Sequence, residues 1–230
     1  DYAVDPQGSF TIVDLPAGGD PAGATVRQVT FQAAYDRHAD VLRAAGVRIF
    51  GPGASTAQDL EPEYVAIAPD GSTAFVSLQE NNALARVDLE AGRVTGILPL
   101  GEKDWAGEGL ELDVSDRDGI AFGTWPVVGL YQPDAIATFE VGGSTYVVSA
   151  NEGDARDYDT YSEEARVEDL ALDPTVFPEA EALQAEAALG RFEVTTADGD
   201  DDGDGLYERI VGYGGRSISP TEPWTTSISF

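Results

Sequence analysis

The fold is decided by two stretches of similar sequence, EPEYVAIAPDGSTAFVS at residues 61–77 and QPDAIATFEVGGSTYVVS at residues 132–149. Each stretch begins with a proline and an acid and continues into a short run of β-branched and apolar residues. It then turns at a glycine and enters a second such run. The two copies lie 71 residues apart before the turn and 72 residues apart after it. A feature order that recurs at a fixed distance indicates a structural repeat.

The repeat predicts an all-β fold, and more narrowly a β-propeller with blades of the YVTN or lactonase-like type. The repeat units lie near residues 61–100 and 132–160. A single blade cannot bury both of its faces, so several must pack around an axis. Glu63 and Asp134, which follow the prolines, are then expected at the start of innermost strands, facing the central channel, and both are candidate metal ligands. An ordinary β-sandwich with two similar hairpins is the alternative.

Strands and turns account for most of the remaining pattern. The first repeat unit predicts an antiparallel meander of four short strands, at 64–67, 74–78, 85–89 and 94–99. Residues 178–190 predict a helical insert, because Pro178 stands at a first-turn position, acids follow it and Gly190 ends the pattern. A second, shorter helix is expected near residues 32–45. We expect one domain over residues 1–230, with long inserted loops.

Composition excludes several classes of function. The 230 residues carry 42 acids and 13 lysines and arginines, which gives a formal net charge of -29. Such a charge repels phosphate backbones and anionic headgroups, so we expect no nucleic-acid partner and no anionic membrane surface. The sequence has no cysteine, which removes thiolate metal sites and cysteine nucleophiles. The apolar fraction of 42% is typical of a packed globular protein.

The strongest local pattern is DGDDDGDGLYE at residues 198–208. Counted from its second aspartate, acids occupy positions one, three, five and nine and a glycine occupies position six. These acids are Asp200, Asp202, Asp204 and Glu208. Alternating carboxylates on a tightly turned loop converge on one point, an arrangement that suits calcium. The spacing is not that of an EF-hand, because position twelve is Val211. A solvated acidic loop without a ligand is the alternative.

The segment NEGDARDYD, which starts at Asn151, is a second candidate site. It offers Asn151, Glu152 and Asp154 as oxygen ligands for a metal, and Arg156 as a partner for these acids or for an anionic ligand. A charged, solvated loop explains its composition equally well. Arg216, flanked by glycines, is either an anion-binding group or a buried ion-pair partner. If the chain is an enzyme, the catalytic candidates are Asp154, Arg156 and Arg216.

Several longer motifs resemble a known family. They are LRAAGVRIFGPGA from residue 42, AQDLEPEY from 57, LQENNALA from 78, ILPLG from 97, SDRDG from 115, YQPDAIA from 131, ANEGDAR from 150, YSEE from 161 and GGRS from 214. Together they resemble the choice-of-anchor I proteins, which are secreted surface proteins similar to mesenchyme-specific cell-surface glycoproteins, with some relatives described as alkaline phosphatase-like. The resemblance implies an exported, extracellular or cell-surface β-propeller. It also implies that this chain covers only part of the propeller.

Two functions follow as expectations. The first is a calcium-binding propeller module with a structural, adhesion or scaffold role, whose partners are the rest of the propeller or another chain that completes it. A surface layer, a matrix or a mineral is the expected external partner. The alternative is a calcium-dependent phosphoesterase, in which clustered carboxylates hold the cation and an arginine stabilises charge in the transition state. The sequence leaves open whether the chain is an enzyme.

Overall fold

The computed structural model describes residues 5–31, 33–117, 119–222 and 228, and short strands predominate among them. The strands are β1 (Ser9–Asp14), β2 (Thr25–Thr30), β3 (Val65–Ile67), β4 (Thr73–Leu78), β5 (Ala83–Asp88), β6 (Arg93–Pro99), β7 (Glu102–Asp104), β8 (Leu112–Asp113), β9 (Phe122–Gly123), β10 (Val127–Leu130), β11 (Ile136–Val141), β12 (Ser144–Asn151), β13 (Asp157–Tyr158), β14 (Tyr161–Ser162), β15 (Glu164–Arg166), β16 (Glu193–Thr195), β17 (Ile210–Gly212) and β18 (Ser217–Thr221). The helices are α1 (Ala33–Arg37), α2 (Ala39–Ala44), α3 (Thr56–Asp59) and α4 (Ala180–Leu183), with 3₁₀ turns at Pro21–Gly23 and Val167–Asp169. This content agrees with the all-β prediction, and the described residues form no closed barrel and no closed propeller.

Contacts divide the chain into two compact units. The repeat-bearing unit contains described residues of 3–100, 132–151 and 216–230, and the insert unit contains 101–131 and 152–215. The chain therefore leaves the repeat-bearing unit twice. It does so first between the two repeats, at residues 101–131, and again between β12 and β18, at residues 152–215. The prediction of one partial propeller domain over residues 1–230 stays a prediction.

The first repeat forms a four-stranded antiparallel sheet in the order β3-β4-β5-β6, as the sequence predicts. The turn between β3 and β4 is fixed by Asp70, whose carboxylate accepts the backbone N–H of Ser72, and by Gly71 at φ 71°. Burial and hydrogen bonds confirm the meander at each predicted strand, with bounds shifted by one or two residues. One edge of this sheet also pairs with Ile228 through two backbone hydrogen bonds to Ile97.

The second repeat forms a three-stranded antiparallel sheet in the order β11-β12-β18. Gly142 and Gly143, both at positive φ, make the two-residue hairpin between β11 and β12. The third strand comes from beyond the second segment of the insert unit, since Asn151 pairs with Ser217. The repeat in sequence thus corresponds to two sheets whose first two strands are alike.

Two apolar clusters hold the repeat-bearing unit together. One face of the first sheet packs against the segment before it, including Phe31, Tyr35 and Leu42. The other face packs against the second sheet, where Ile136 and Val147 meet residues such as Phe75. The unit is therefore layered, with an N-terminal layer, the first sheet and the second sheet in that order.

The shorter predicted helix is present in two parts. Tyr35 and Leu42 are buried, but α1 ends before His38, which has φ -118° and ψ 22° and separates it from α2. Gly46 at φ 94° ends α2, and the N–H of Val47 donates to Leu42 O. Gln32, the first residue of the predicted range, lies outside the described residues.

The helix predicted over residues 178–190 is largely absent, because only α4 within it is α-helical. The side chain of Gln184 donates hydrogen bonds to the carbonyls of Val167 and Leu170, and the chain then continues in turns. These turns bring Leu189, which is fully buried, into the apolar cluster of the insert unit. Tertiary contacts therefore override the local helical preference.

The insert unit is built on a five-stranded sheet in the order β15-β16-β17-β10-β7. β10 and β17 run parallel, whereas the other pairs are antiparallel. Its core contains Trp105, Val127, Phe192 and Ile210 among others. The ammonium of Lys103 lies 3.7 Å from the ring centroid of Trp105 and donates to Gly215 O. The loop between β16 and β17 carries the acidic pattern.

Candidate metal centre

The acidic loop is closed at its base by backbone hydrogen bonds. The N–H groups of Glu208 and Arg209 both donate to Gly199 O, at 2.8 and 3.1 Å. Gly199 has φ 102°, and a side chain there would meet Arg209 O at 2.5 Å. The loop therefore leaves β16 and returns to β17 through a narrow neck.

Within the loop, the backbone curls around the carboxylate of Asp200. One oxygen of Asp200 accepts N–H groups from Gly203 at 2.8 Å and Asp204 at 3.1 Å, and the other accepts from Gly205 at 3.0 Å. Asp204 in turn accepts from Leu206 N at 2.8 Å. Gly203 and Gly205 have positive φ, which permits this tight curl. Successive side chains are thereby turned toward a common centre.

The predicted ligands are brought together. One carboxylate oxygen from each of Asp200, Asp202, Asp204 and Glu208 lies within 4.8 Å of the others. Oxygens about 2.4 Å from one calcium ion are at most about 4.8 Å apart, so these separations suit a shared ion. Asp200 and Glu208 are half-buried, whereas Asp202 and Asp204 are exposed. Among the described residues, no other group of three or more acids or histidines meets this criterion.

The loop's surroundings compensate only part of its charge. Arg209 pairs with Glu102 at 2.9 Å and with Asp201 at 3.3 Å, neither of which is in the four-carboxylate cluster. Burial, and then the charge of Asp200, raises the pKa of Tyr207. Four carboxylates this close repel one another strongly in the absence of a counter-charge. The arrangement can bind a hard cation through oxygen atoms alone.

The second candidate segment does not form a comparable cluster. The side chain of Asn151 is buried in the repeat-bearing unit, where its amide donates to Ser217 and Ser219 and its carbonyl accepts from Ser149. Glu152 and Asp154 are exposed and belong to the insert unit. The amide oxygen of Asn151 and the carboxylates of Glu152 and Asp154 therefore belong to different units and do not form one group of ligands.

Arg156 is buried, with 2% of its surface exposed. Its backbone N–H donates to the carboxylate of Glu163 at 2.8 Å, and the hydroxyl of Thr195 donates to the other oxygen of that carboxylate. Glu163 is itself fully buried. The sequence did not single out Glu163 as a buried residue, because nothing in its local pattern distinguishes it from exposed Glu164.

The remaining candidates lie in the repeat-bearing unit. Glu63 and Asp134 are both exposed, and their N–H groups make matching bonds to the second strand, at Ser77 O and Ala150 O. They thus occupy equivalent positions at the start of their hairpins. Arg216 is exposed and has φ 43°, in the left-handed region. The candidate roles of these residues stay predictions.

A second network, which sequence analysis missed, lies in the repeat-bearing unit. The buried amide of Asn81 donates to Arg48 O and Asp59 O at 2.8 Å. Asp59 accepts the N–H groups of Phe50 and Gly51. All of these residues fall in the motifs that carry the family resemblance. These bonds form a buried polar network that holds residues 48–51 against Asp59 and Asn81.

A family model described as the choice-of-anchor I domain matches residues 1–227. The chain belongs to the choice-of-anchor I family. A mesenchyme-specific cell surface glycoprotein of Strongylocentrotus purpuratus is 34% identical to this choice-of-anchor I chain over 191 residues. The match covers 73% of this chain and 24% of that relative, so the chain spans about a quarter of the relative's length. Neither match carries a phosphatase description. No solved structure matches the chain.

A search of the described residues finds no helix that is both long enough and apolar enough to cross a membrane.

Proposed function

We propose that this choice-of-anchor I chain is a calcium-binding module of an extracellular or cell-surface protein, with a structural or adhesive role. The observation that carries the metal part is the convergence of four carboxylates within 4.8 Å. Family membership and the printed name of the sea-urchin relative support the cell-surface part. The charge of -29 fits a module that works in contact with cations rather than with polyanions.

The donor chemistry favours calcium over softer metals. All four side chains offer oxygen, and the chain has no cysteine and one histidine. Calcium takes six to eight oxygen ligands in flexible geometry, and magnesium demands a stricter octahedron. Four carboxylates leave room for a backbone carbonyl, for which position seven, Leu206, is the candidate, and for water. Two half-buried and two exposed acids suit an ion that keeps part of its hydration.

Binding would stabilise the link between β16 and β17. The loop's neck is held by two bonds to Gly199 O, and the cluster sits just beyond it. A cation that binds the folded loop more tightly than the unfolded chain stabilises the fold by about 2.7 kcal/mol when free ligand is about 100 times its Kd. Relief of carboxylate repulsion is the physical source of this gain.

We also infer that the two sheets of the repeat-bearing unit are blades of a β-propeller. The matching bonds made by Glu63 and Asp134 support an equivalent role for the two hairpins. In such a propeller these two acids would face the channel, and the rest of the propeller would come from the same polypeptide or from another chain. A surface layer, matrix or mineral is the proposed external partner, because an acidic surface with bound calcium favours such contacts.

Calorimetry tests the metal proposal. After removal of divalent cations with a chelator, titration with CaCl₂ is expected to release or absorb heat with saturation, and to raise Tm. Magnesium at the same concentration is expected to raise Tm less. A chain that shows neither heat nor a change in Tm with calcium would contradict the proposal.

Matched variants locate the site. Asp200→Asn removes one charge from the cluster and is expected to abolish the calcium-dependent rise in Tm. Asp154→Asn removes one charge from the second candidate segment and is expected to leave that rise unchanged. If Asp154→Asn abolished the calcium-dependent rise in Tm and Asp200→Asn left it unchanged, the site would instead lie at residues 151–159.

The phosphoesterase alternative receives no support from a specific observation. Its candidate Arg156 is buried beside Glu163, and Asp154 and Arg216 belong to different units. A phosphate-binding arginine must reach the substrate. This alternative stays an untested prediction, which a chromogenic phosphate ester with calcium would check.

A further inference from the structure

The acidic loop is joined to a second segment of the insert unit through Tyr207. The N–H of Tyr207 donates to Ala171 O at 2.8 Å, and its carbonyl accepts the N–H of Asp173 at 3.0 Å. Leu172 thereby forms a parallel β-bridge with Tyr207. The hydroxyl of Tyr207 also donates to Thr196 O at 3.2 Å. The backbone of Tyr207 is therefore held by residues that lie outside the loop.

Tyr207 stands between two of the proposed calcium ligands. The carbonyl of Leu206 precedes it in the sequence, and the carboxylate of Glu208 follows it. The two bonds to residues 171–173 use the backbone atoms of Tyr207 alone, so they and a bound cation can be present together. A cation held by Leu206 and Glu208 would restrain the backbone on both sides of Tyr207. It would therefore also restrain the two bonds that Tyr207 makes.

Residues 171–177, here called the bridge segment, form a turn that depends on Asp173. The carboxylate of Asp173 accepts the N–H of Thr175 at 2.6 Å, and its carbonyl accepts the N–H of Phe177 at 2.8 Å. Leu172 and Phe177 are buried in the core of the insert unit, whereas Thr175 between them is exposed. A segment with few buried contacts opens locally at a lower cost in free energy than the whole fold.

We propose that a cation bound in the acidic loop controls the local opening of the bridge segment. The segment is closed when the loop is occupied, and it opens more often when the cation is lost. This inference rests on the proposed calcium site and adds a response to it. Opening breaks the two bonds to Tyr207 and so loosens the ligands on either side of it. By linkage, opening weakens cation binding by the same factor by which the cation suppresses opening.

Hydrogen exchange tests the effect of calcium on the bridge segment. Amide exchange of the whole chain of 230 residues is followed by mass spectrometry, first with a chelator and then with excess CaCl₂. We expect the amides of residues 173–177 to exchange about fivefold more slowly with calcium, or slower still, as is typical of coupled sites. Strand β2 (Thr25–Thr30), in the repeat-bearing unit, is the internal control and should exchange at the same rate under both conditions.

A matched pair of variants tests the reverse direction. Asp173→Asn removes the negative charge and keeps a side-chain oxygen for the N–H of Thr175, whereas Asp173→Ala removes both. Neither variant changes one of the four carboxylates of the cluster. We expect calorimetry to give a calcium Kd that is about fivefold higher, or more, for Asp173→Ala than for Asp173→Asn. The lost charge is common to both variants, so the difference reports the turn.

The outcomes separate this inference from the metal proposal. Saturable calcium heat with unchanged exchange at residues 173–177 would overturn the link and leave the metal site in place. Equal slowing of exchange in β2 would show general stabilisation and would also overturn the link. So would equal calcium Kd values for Asp173→Ala and Asp173→Asn. The absence of any calcium heat would overturn the metal proposal, and this inference with it.

Discussion

Two adjacent glutamates of one short acidic segment differ in how far they are buried. Glu163 is fully buried and accepts hydrogen bonds from Arg156 N and the Thr195 hydroxyl, whereas its neighbour Glu164 is exposed. Desolvation, and then the charges of nearby acids such as Asp157 and Glu193, raises the pKa of Glu164. One glutamate therefore organises the insert unit, and the other adds to its negative potential.

Replacing Glu163 is expected to be costly. Glu163→Ala removes the acceptor for two buried donors, so we expect the free energy of unfolding to fall by about 2–4 kcal/mol. Urea denaturation followed by tryptophan fluorescence measures the change. Glu152→Ala, an exposed acid of the same segment, should change it by less than about 0.5 kcal/mol. Equal effects of the two variants would contradict the buried-network interpretation.

Asp116 gives a pH-dependent contribution to stability. A hydrogen bond from Arg191, at 2.9 Å, lowers the pKa of Asp116 to about 2. Because the folded pKa is below the unfolded value of about 3.9, the contribution is present above that value and is lost as pH falls toward 2. The Tm difference between the native chain and Asp116→Asn should therefore be constant near neutral pH, shrink as the pH falls below about 4, and vanish only below about pH 2. Glu179→Gln, at an exposed site, is the control, and a difference that persists in acid would contradict the assignment.

At the scale of elements, two glycines allow the insert unit's entry and exit to meet. Gly214, at φ 76°, lies so close to Glu152 that an added Cβ would stand 1.9 Å from Glu152 O. A Cβ added to Gly153 would stand 2.1 Å from Gly214 N. The segment that begins at residue 152 and ends at 215 therefore starts and finishes at adjacent points.

This contact predicts an asymmetry between two glycine variants. Gly142→Ala, in the β11–β12 hairpin, has open space around its Cβ and should cost about 1–2 kcal/mol for positive φ alone. Gly214→Ala should cost about 2 kcal/mol more, because the backbone must also move. Denaturant midpoints of the two variants measure the difference. Equal denaturant midpoints for the two variants would mean that the backbone at Gly214 and Glu152 accommodates a Cβ without cost.

The sequence predicts the strands better than the helices. The meander from β3 to β6 follows from alternating apolar residues and Asp-Gly or Ala-Gly turns, which act locally. The helix expected at residues 178–190 is shortened because Gln184 bonds to carbonyls that lie 14 and 17 residues away. The acidic loop was predictable because its ligands are close in sequence. The Glu163 and Asn81 networks were not, since Thr195 lies 32 residues from Glu163 and Arg48 lies 33 residues from Asn81.

At the scale of the whole molecule, charge and connectivity dominate. The repeat identifies two hairpins, but the third strand of the second sheet could not be assigned, because 66 residues separate Asn151 from its partner Ser217. The net charge of -29 acts on both units at once. Self-repulsion of this size destabilises a compact state and is reduced by salt.

Salt should therefore stabilise the protein without calcium. In the presence of a chelator, raising NaCl from about 0.01 M to about 0.15 M shortens the Debye length from about 30 Å to about 8 Å, and Tm is expected to rise. The rise should shrink near the isoelectric point of about 4.1, where the net charge vanishes. Differential scanning calorimetry measures both. A rise in Tm that is the same at neutral pH and near pH 4.1 would point to a cause other than charge screening.

The late arrival of β18 also has a consequence for synthesis. At about 5–20 residues per second, a ribosome needs about 3–13 seconds to add the 66 residues between Asn151 and Ser217. During that interval strands β3 to β6 of the first sheet have already been synthesised, whereas one edge of β12 is unpaired until β18 has been made. An exposed strand edge invites pairing with other chains. The contact between Glu152 and Gly214 shortens this search, because once the insert unit has folded it delivers β18 beside the strand it must join.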